Sequence, residues 1–208
     1  MESDINSSGA AAARPNWAWR SALAMLAFGA VAILYVLFAA SSKPEPVGDY
    51  TRFARGAMQR LQTIEAPPPM PRETLRDGAG AEASLAAYEG QVVVLNLWAT
   101  WCAPCLEEMP TLGALQRQFE GRLAVVPVSV DSEAKMAEAE RELARLSGGS
   151  LPFFVDPSRA ILFSVRAAGM PATVIYDRDG RELARLVGGA DWSSPEAIAF
   201  LEAALAES

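Results

Sequence analysis

The chain has 208 residues, two cysteines and no histidine. This excludes a Ser-His-Asp triad, a Cys-His protease pair, His-ligated zinc or haem, and any four-thiolate zinc or iron–sulfur centre. About half of the residues (51%) are apolar, enough for a sizeable core, and the formal net charge of −7 argues against a nucleic-acid partner.

Read in chain order, the first feature is the run from Ser21 to Ala40, which contains no charged residue. As a helix it spans roughly 30 Å, the thickness of a bilayer core. Trp17 and Trp19 precede it beside Arg20, as interfacial anchors do. The competing reading is a cleaved signal peptide, with a small-residue site around Ala39, Ala40 and Ser41. Its apolar core would normally be shorter, about 7–15 residues. Residues 21–40 are therefore expected to be a transmembrane signal anchor, with residues 1–20 a short tail. Arg14 and Arg20 flank one side, and Lys43, Arg52, Arg55 and Arg60 the other, so the positive-inside rule leaves the orientation open.

Residues 41–72 are expected to be a tether. Pro44 and Pro46 open it, and Pro67, Pro68, Pro69 and Pro71 close it, favouring extended geometry. A short helix is predicted within it, over Tyr50–Glu65.

The remainder, 73–208, alternates strand and helix signals. Val92–Trp98 reads as a strand buried on both faces, followed by a helix from about Cys102 to Phe119. Leu123–Val130 is a second strand. Asp131 or Ser132 caps the next helix, which ends at Gly148-Gly149. A short strand over Leu151–Val155 and a helix over Ser158–Ala168 follow. Ala172–Tyr176 and Glu182–Val187 flank Asp177-Arg178-Asp179-Gly180 as a hairpin. The last helix starts near Ser193, with Glu196 completing a capping box and Ile198, Leu201 and Leu205 as its buried stripe. The expected fold class is α/β, a central mixed sheet flanked by helices.

Both cysteines fall in Trp101-Cys102-Ala103-Pro104-Cys105, at a strand-to-helix junction where open α/β folds place their chemistry. A disulfide closing so small a loop is worth only roughly 2 kcal/mol as a staple, but it serves well as a reversible switch. Cys102, at the helix N-terminus, is the candidate nucleophile, because the macrodipole stabilises a thiolate there. Cys105, one turn on, is the candidate resolving thiol. Ala103 and Pro104 between them carry no charge, which leans the pair away from a strong oxidant. Glu108 shares a helix face with Cys105 and is the candidate proton handler, while Glu107 faces elsewhere. Pro110 sits in mid-helix, where a kink is expected. Gly169-Met170-Pro171 precedes a strand. Its peptide bond is either an ordinary trans loop end or a cis bond that sets the Met170 backbone against the cysteines to pair with an extended substrate.

The run Asn96-Leu97-Trp98-Ala99-Thr100-Trp101-Cys102-Ala103-Pro104-Cys105, continuing Leu106-Glu107-Glu108-Met109-Pro110, resembles membrane-anchored thioredoxin-like proteins of bacteria. These are the TlpA group, with the ResA and CcmG types as near relatives. Gly169-Met170-Pro171 and Asp191-Trp192 fit the same group. The resemblance covers about 73–208. It implies a thioredoxin fold, a cis Pro171, and a catalytic domain facing the periplasm from the inner membrane. Its role would be that of a reductant for oxidised cysteine-bearing extracytoplasmic clients in copper-centre, cytochrome oxidase or cytochrome c biogenesis. It also implies a membrane thiol donor of electrons and Glu108 as the family's glutamate. Where ordinary thioredoxin has a buried aspartate this chain has Asn96, which cannot exchange protons. Ala172 stands where CcmG-type proteins carry an acid, which weakens the apocytochrome reading.

The expected function is thus a membrane-anchored thiol–disulfide oxidoreductase, monomeric, with no cofactor and no metal. Trp101, Met170 and Pro171 form its docking surface. The alternatives are a Cu(I) chaperone using the two thiolates and a thioredoxin-like adaptor without turnover.

Overall fold

The computed structural model describes residues 21, 25–35, 50–64 and 66–207. They fall into two units, 1–46 and 47–208.

In the first unit, residues 25–35 are helical, and Met25, Leu26, Phe28 and Tyr35 are exposed. The rest of the expected span 21–40, apart from residue 21, lies outside the described residues, as do the tail 1–20 and residues 41–49. Among the described residues no helix is long and apolar enough to cross a membrane.

The second unit is built on one mixed sheet. Its strands are β1 (Leu61–Gln62), β2 (Leu75–Asp77), β3 (Glu82–Ala83), β4 (Val92–Trp98), β5 (Leu123–Ser129), β6 (Phe154–Val155), β7 (Ala172–Tyr176) and β8 (Glu182–Val187). They lie in the order β1-β8-β7-β4-β5-β6-β2-β3. The helices of this unit are α1 (Ala103–Gln118), α2 (Met136–Ser147), α3 (Ala160–Ser164) and α4 (Pro195–Glu207). Every residue of β4 and β5 is buried, as their unbroken apolar runs require of strands covered on both faces. β4 pairs parallel with β5 and antiparallel with β7. The connection from β4 to β5 runs through α1, so the turn after Trp98 opens at the carboxyl edge of the central strand.

The hairpin β7–β8 forms as predicted. Asp177 organises its turn, its Oδ1 accepting from the amides of Asp179 and Arg181, and Gly180 supplies the positive φ of 73°. α1 continues through Pro110.

Several expectations shift. The helix predicted over Tyr50–Glu65 is instead two 3-10 turns, Tyr50–Phe53 and Gly56–Met58, followed by β1. Extended Arg55 and left-handed Gly56 (φ 53°) interrupt any longer helix. The boundary at 73 falls inside the compact unit. Tyr50, Met58, Leu61 and Met70 are buried, Tyr50 meets Phe200 edge-on at 5.4 Å, and β1 extends the sheet beside β8. The flanking prolines and arginines mask four apolar side chains that complete the core.

The strand predicted over Leu151–Val155 shortens to β6, and the helix over Ser158–Ala168 shortens to α3, with Arg166 left-handed (φ 52°) just past its end. β2 and β3, three and two residues long, add to the sheet without a sequence pattern long enough to predict them. The last helix is capped by Ser194, not Ser193: its Oγ accepts from the Ala197 amide, and Pro195 takes the first helical position. Its buried stripe is correspondingly Ala197, Phe200, Leu201 and Ala204, with Ile198 and Leu205 at the edge.

Candidate active site

The turn between β4 and α1 is held from below by Asp131, which is buried just after β5. Its carboxylate accepts from the Thr100 amide and hydroxyl, both at 2.8 Å, and from the Ser129 hydroxyl. Asp131 therefore anchors the approach to the cysteines rather than capping the next helix. Cys102 is the N-cap of α1, with extended backbone (φ −98°, ψ 95°), and its carbonyl accepts from the amides of Cys105 and Leu106. Pro104 occupies the first turn, where its missing N–H breaks no helical bond.

Cys102 and Cys105 are joined in a disulfide, their Cα atoms 5.3 Å apart. Cys102 is 6% exposed and Cys105 fully buried. Cys102 is thus the more accessible of the two, the asymmetry that an attacking and a resolving thiol need. Gly189, after β8, packs against this turn. A Cβ there would stand 3.3 Å from the Pro104 carbonyl oxygen, so the position favours glycine.

One turn beyond Cys105, Glu108 is buried, whereas Glu107 is exposed. Its Oε1 accepts from the Asn96 side-chain amide at 2.8 Å, and its Oε2 from the Ala190 amide at 3.1 Å and the Trp192 indole at 3.2 Å. Asn96 also donates to the Thr173 hydroxyl at 2.9 Å, while its own Oδ1 is buried without a partner. Burial pushes the Glu108 carboxyl up to about 7, against the pull of the three donors from Ala190, Asn96 and Trp192. A carboxyl poised there exchanges protons readily near neutral pH. Glu108 also borders a cavity of about 490 Å³ with Arg60, Pro104, Thr111 and Asp191.

Across from the disulfide, the Met170–Pro171 bond is cis, and β7 begins at the next residue. Gly188 donates to the Pro171 carbonyl at 2.8 Å. Trp101 (62% exposed), Cys102, Pro104 and Met170 border one groove of about 590 Å³. The structure thus brings Trp101, Cys102 and Met170 to one groove, with Pro171 in the cis bond that follows Met170 and Glu108 one turn beyond Cys105 on α1.

Residues 68–181 match the family model for the AhpC/TSA family, more than half of the chain. The chain belongs to the AhpC/TSA family. Within it the similarity is to thioredoxin-like members. One is thioredoxin-like protein YneN of Bacillus subtilis, 34% identical over 110 residues, 53% of this chain and 64% of YneN. Another is the thiol-disulfide oxidoreductase ResA of the same organism, 28% identical over 119 residues, 57% of this chain and 65% of ResA. The chain thus spans somewhat less than two thirds of these relatives. A thiol:disulfide interchange protein DsbE from Chlorobium tepidum superposes with a TM-score of 0.60 at 26% identity, covering 69% of this chain and 99% of that one. The AhpC/TSA chain therefore has the thioredoxin fold, as its resemblance implied.

Sequence reasoning placed the dithiol and Glu108 correctly on one helix. It did not find Asp131, Thr173 or the Ala190 amide, because nothing local marks a residue that reaches the site from another strand. In the sequence Asp191-Trp192 stands out only by family likeness, and the indole bonds Glu108 directly.

Proposed function

We propose that this AhpC/TSA chain is a thiol–disulfide oxidoreductase working as a reductant, held to a membrane through residues 21–40 with the 47–208 unit on the periplasmic side. The observation that carries the reading is the disulfide itself. The chain's two cysteines form one bridge at a helix N-terminus, Cys102 slightly exposed and Cys105 fully buried.

In the reduced form the Cys102 thiolate attacks a client disulfide. One client sulfur bonds to Cys102, and the other leaves as a thiolate and takes a proton. Cys105 then attacks the Cys102 sulfur, closing the Cys102–Cys105 bridge and releasing the second client thiolate. Two electrons pass from the pair to the client. Glu108, one turn from Cys105, accepts the Cys105 proton as that thiol becomes nucleophilic. The oxidised pair is the form described above, and a membrane dithiol donor returns it to the reduced form by the reverse exchange. Trp101 and Met170 border the groove that Cys102 lines, and together with Pro171, next to Met170, they dock the client chain. The uncharged run 21–40 and the likeness to TlpA-type proteins support the anchor and the periplasmic side, and the likeness points to clients in copper-centre or cytochrome biogenesis.

The test is Cys105→Ala in native membranes. The mixed disulfide then has no resolving thiol, so a client protein stays covalently attached to Cys102 and is released by dithiothreitol. Cys102 remaining free throughout, under the same conditions, would exclude the exchange mechanism.

A further inference from the structure

Phe163 stands out by exposure. Among the described residues of the 47–208 unit, Trp101 and Phe163 are the large exposed hydrophobic side chains, at 62% and 81%. Both border the groove that also contains Cys102. Trp101 belongs to the redox turn, but Phe163 comes from α3, a five-residue helix with no part in the dithiol chemistry.

That short helix is held in place from several directions. The amide of Ile161 donates to Asp156 at 2.9 Å, and the Arg159 guanidinium to the Val130 carbonyl at 3.1 Å. The Ser164 hydroxyl bonds Glu73. Arg185 on β8, buried and paired with Glu182 at 2.6 Å, donates to the carbonyls of Val165 and Arg166 at 2.8 and 3.3 Å. A segment pinned this firmly, with its largest side chain turned outward, is shaped for contact rather than for packing.

The groove between the two aromatics is lined by uncharged residues throughout, Leu162, Ala167 and Ala168 among them. The chain around it carries a net charge of −7. Resting on the oxidoreductase reading, the geometry points to Phe163 as a specificity-determining residue. It forms, opposite Trp101, the second wall of a subsite for an apolar side chain close in sequence to the client's reacting cysteine. The occupant is an extended client segment, because Cys102 lines the same groove. An apolar flank suits the uncharged walls, and an acidic flank is opposed by both the walls and the overall charge.

Two synthetic peptides test this, each closed by a Cys-x-x-Cys disulfide and differing only in a leucine or a glutamate beside the first cysteine. Hydroxyethyl disulfide serves as a third, small substrate. The reduced wild-type chain is expected to favour the leucine peptide in kcat/KM by roughly tenfold to a hundredfold. Phe163→Ala is expected to lose most of that preference through KM, and Phe163→Asp all of it. Equal rates with the two peptides in the wild type, or an unaltered preference in Phe163→Ala, would overturn the inference while leaving the oxidoreductase reading intact. Failure of the wild type to reduce hydroxyethyl disulfide and both peptides would overturn that reading, and the inference with it. Concentration-dependent dimers in sedimentation that dissolve in Phe163→Asp would assign the groove to a second copy of this chain instead.

Discussion

Glu108 is the residue where burial and chemistry meet. Its carboxyl is pushed up to about 7 from the ordinary 4.5, with burial the leading cause. Below pH 4.5 the folded and unfolded chains both hold the proton. Between about 4.5 and about 7 only the folded chain does, so folding stability falls as pH rises through this window and levels off above it. Glu108→Gln removes the ionisation. Relative to wild type the variant is expected to gain roughly 3 kcal/mol between pH 4 and pH 8, read from urea unfolding at both pH values. A constant difference across that range would contradict the assignment. The same variant should slow client reduction about 10²-fold and remove the pH dependence near 7 from kcat, because the Cys105 proton then has no acceptor. Asn96 is part of this arrangement rather than a substitute for it. It cannot take a proton, but its amide fixes one carboxylate oxygen of Glu108 at 2.8 Å.

At the scale of elements, the segment ahead of residue 73 belongs to the fold. Met58 is fully buried and ends the second 3-10 turn, shortly before β1. Met58→Ala is therefore expected to cost about 2–5 kcal/mol in chemical denaturation, where a change within ±0.5 kcal/mol would return the segment to a tether. The sequence was legible wherever an element was long. The buried runs of β4 and β5, the apolar spacing of Met136, Ala139, Leu143 and Leu146 in α2 and the Asp-rich hairpin turn each carry a period or a turn signal of their own. β1, β2, β3 and β6 are two or three residues each, too short for a period to show, and exist only because a neighbouring strand offers its edge. The candidate site divides the same way. Cys102, Cys105 and Glu108 lie within one helix start, and their spacing is meaningful on its own. Asp131, Thr173 and Trp192 reach the site from other elements, and only the sheet order brings them there.

For the whole molecule, the features converge on one reversible switch. The two cysteines both belong to the site, so the 47–208 unit relies on its core for stability. Ala103 and Pro104 bring no positive charge between the sulfurs, and the chain has no histidine to supply one. The oxidised form thus lacks one source of oxidising bias, and the pair is expected to give electrons to clients. The direction of transfer is tested most directly by the midpoint of the Cys102–Cys105 couple, measured by equilibrating the 47–208 unit in defined dithiothreitol ratios at pH 7. A value well below about −180 mV, the range of disulfide isomerase, is the result expected of a reductant. A midpoint at or above about −180 mV would make the pair an isomerase or oxidant and contradict its role as a reductant.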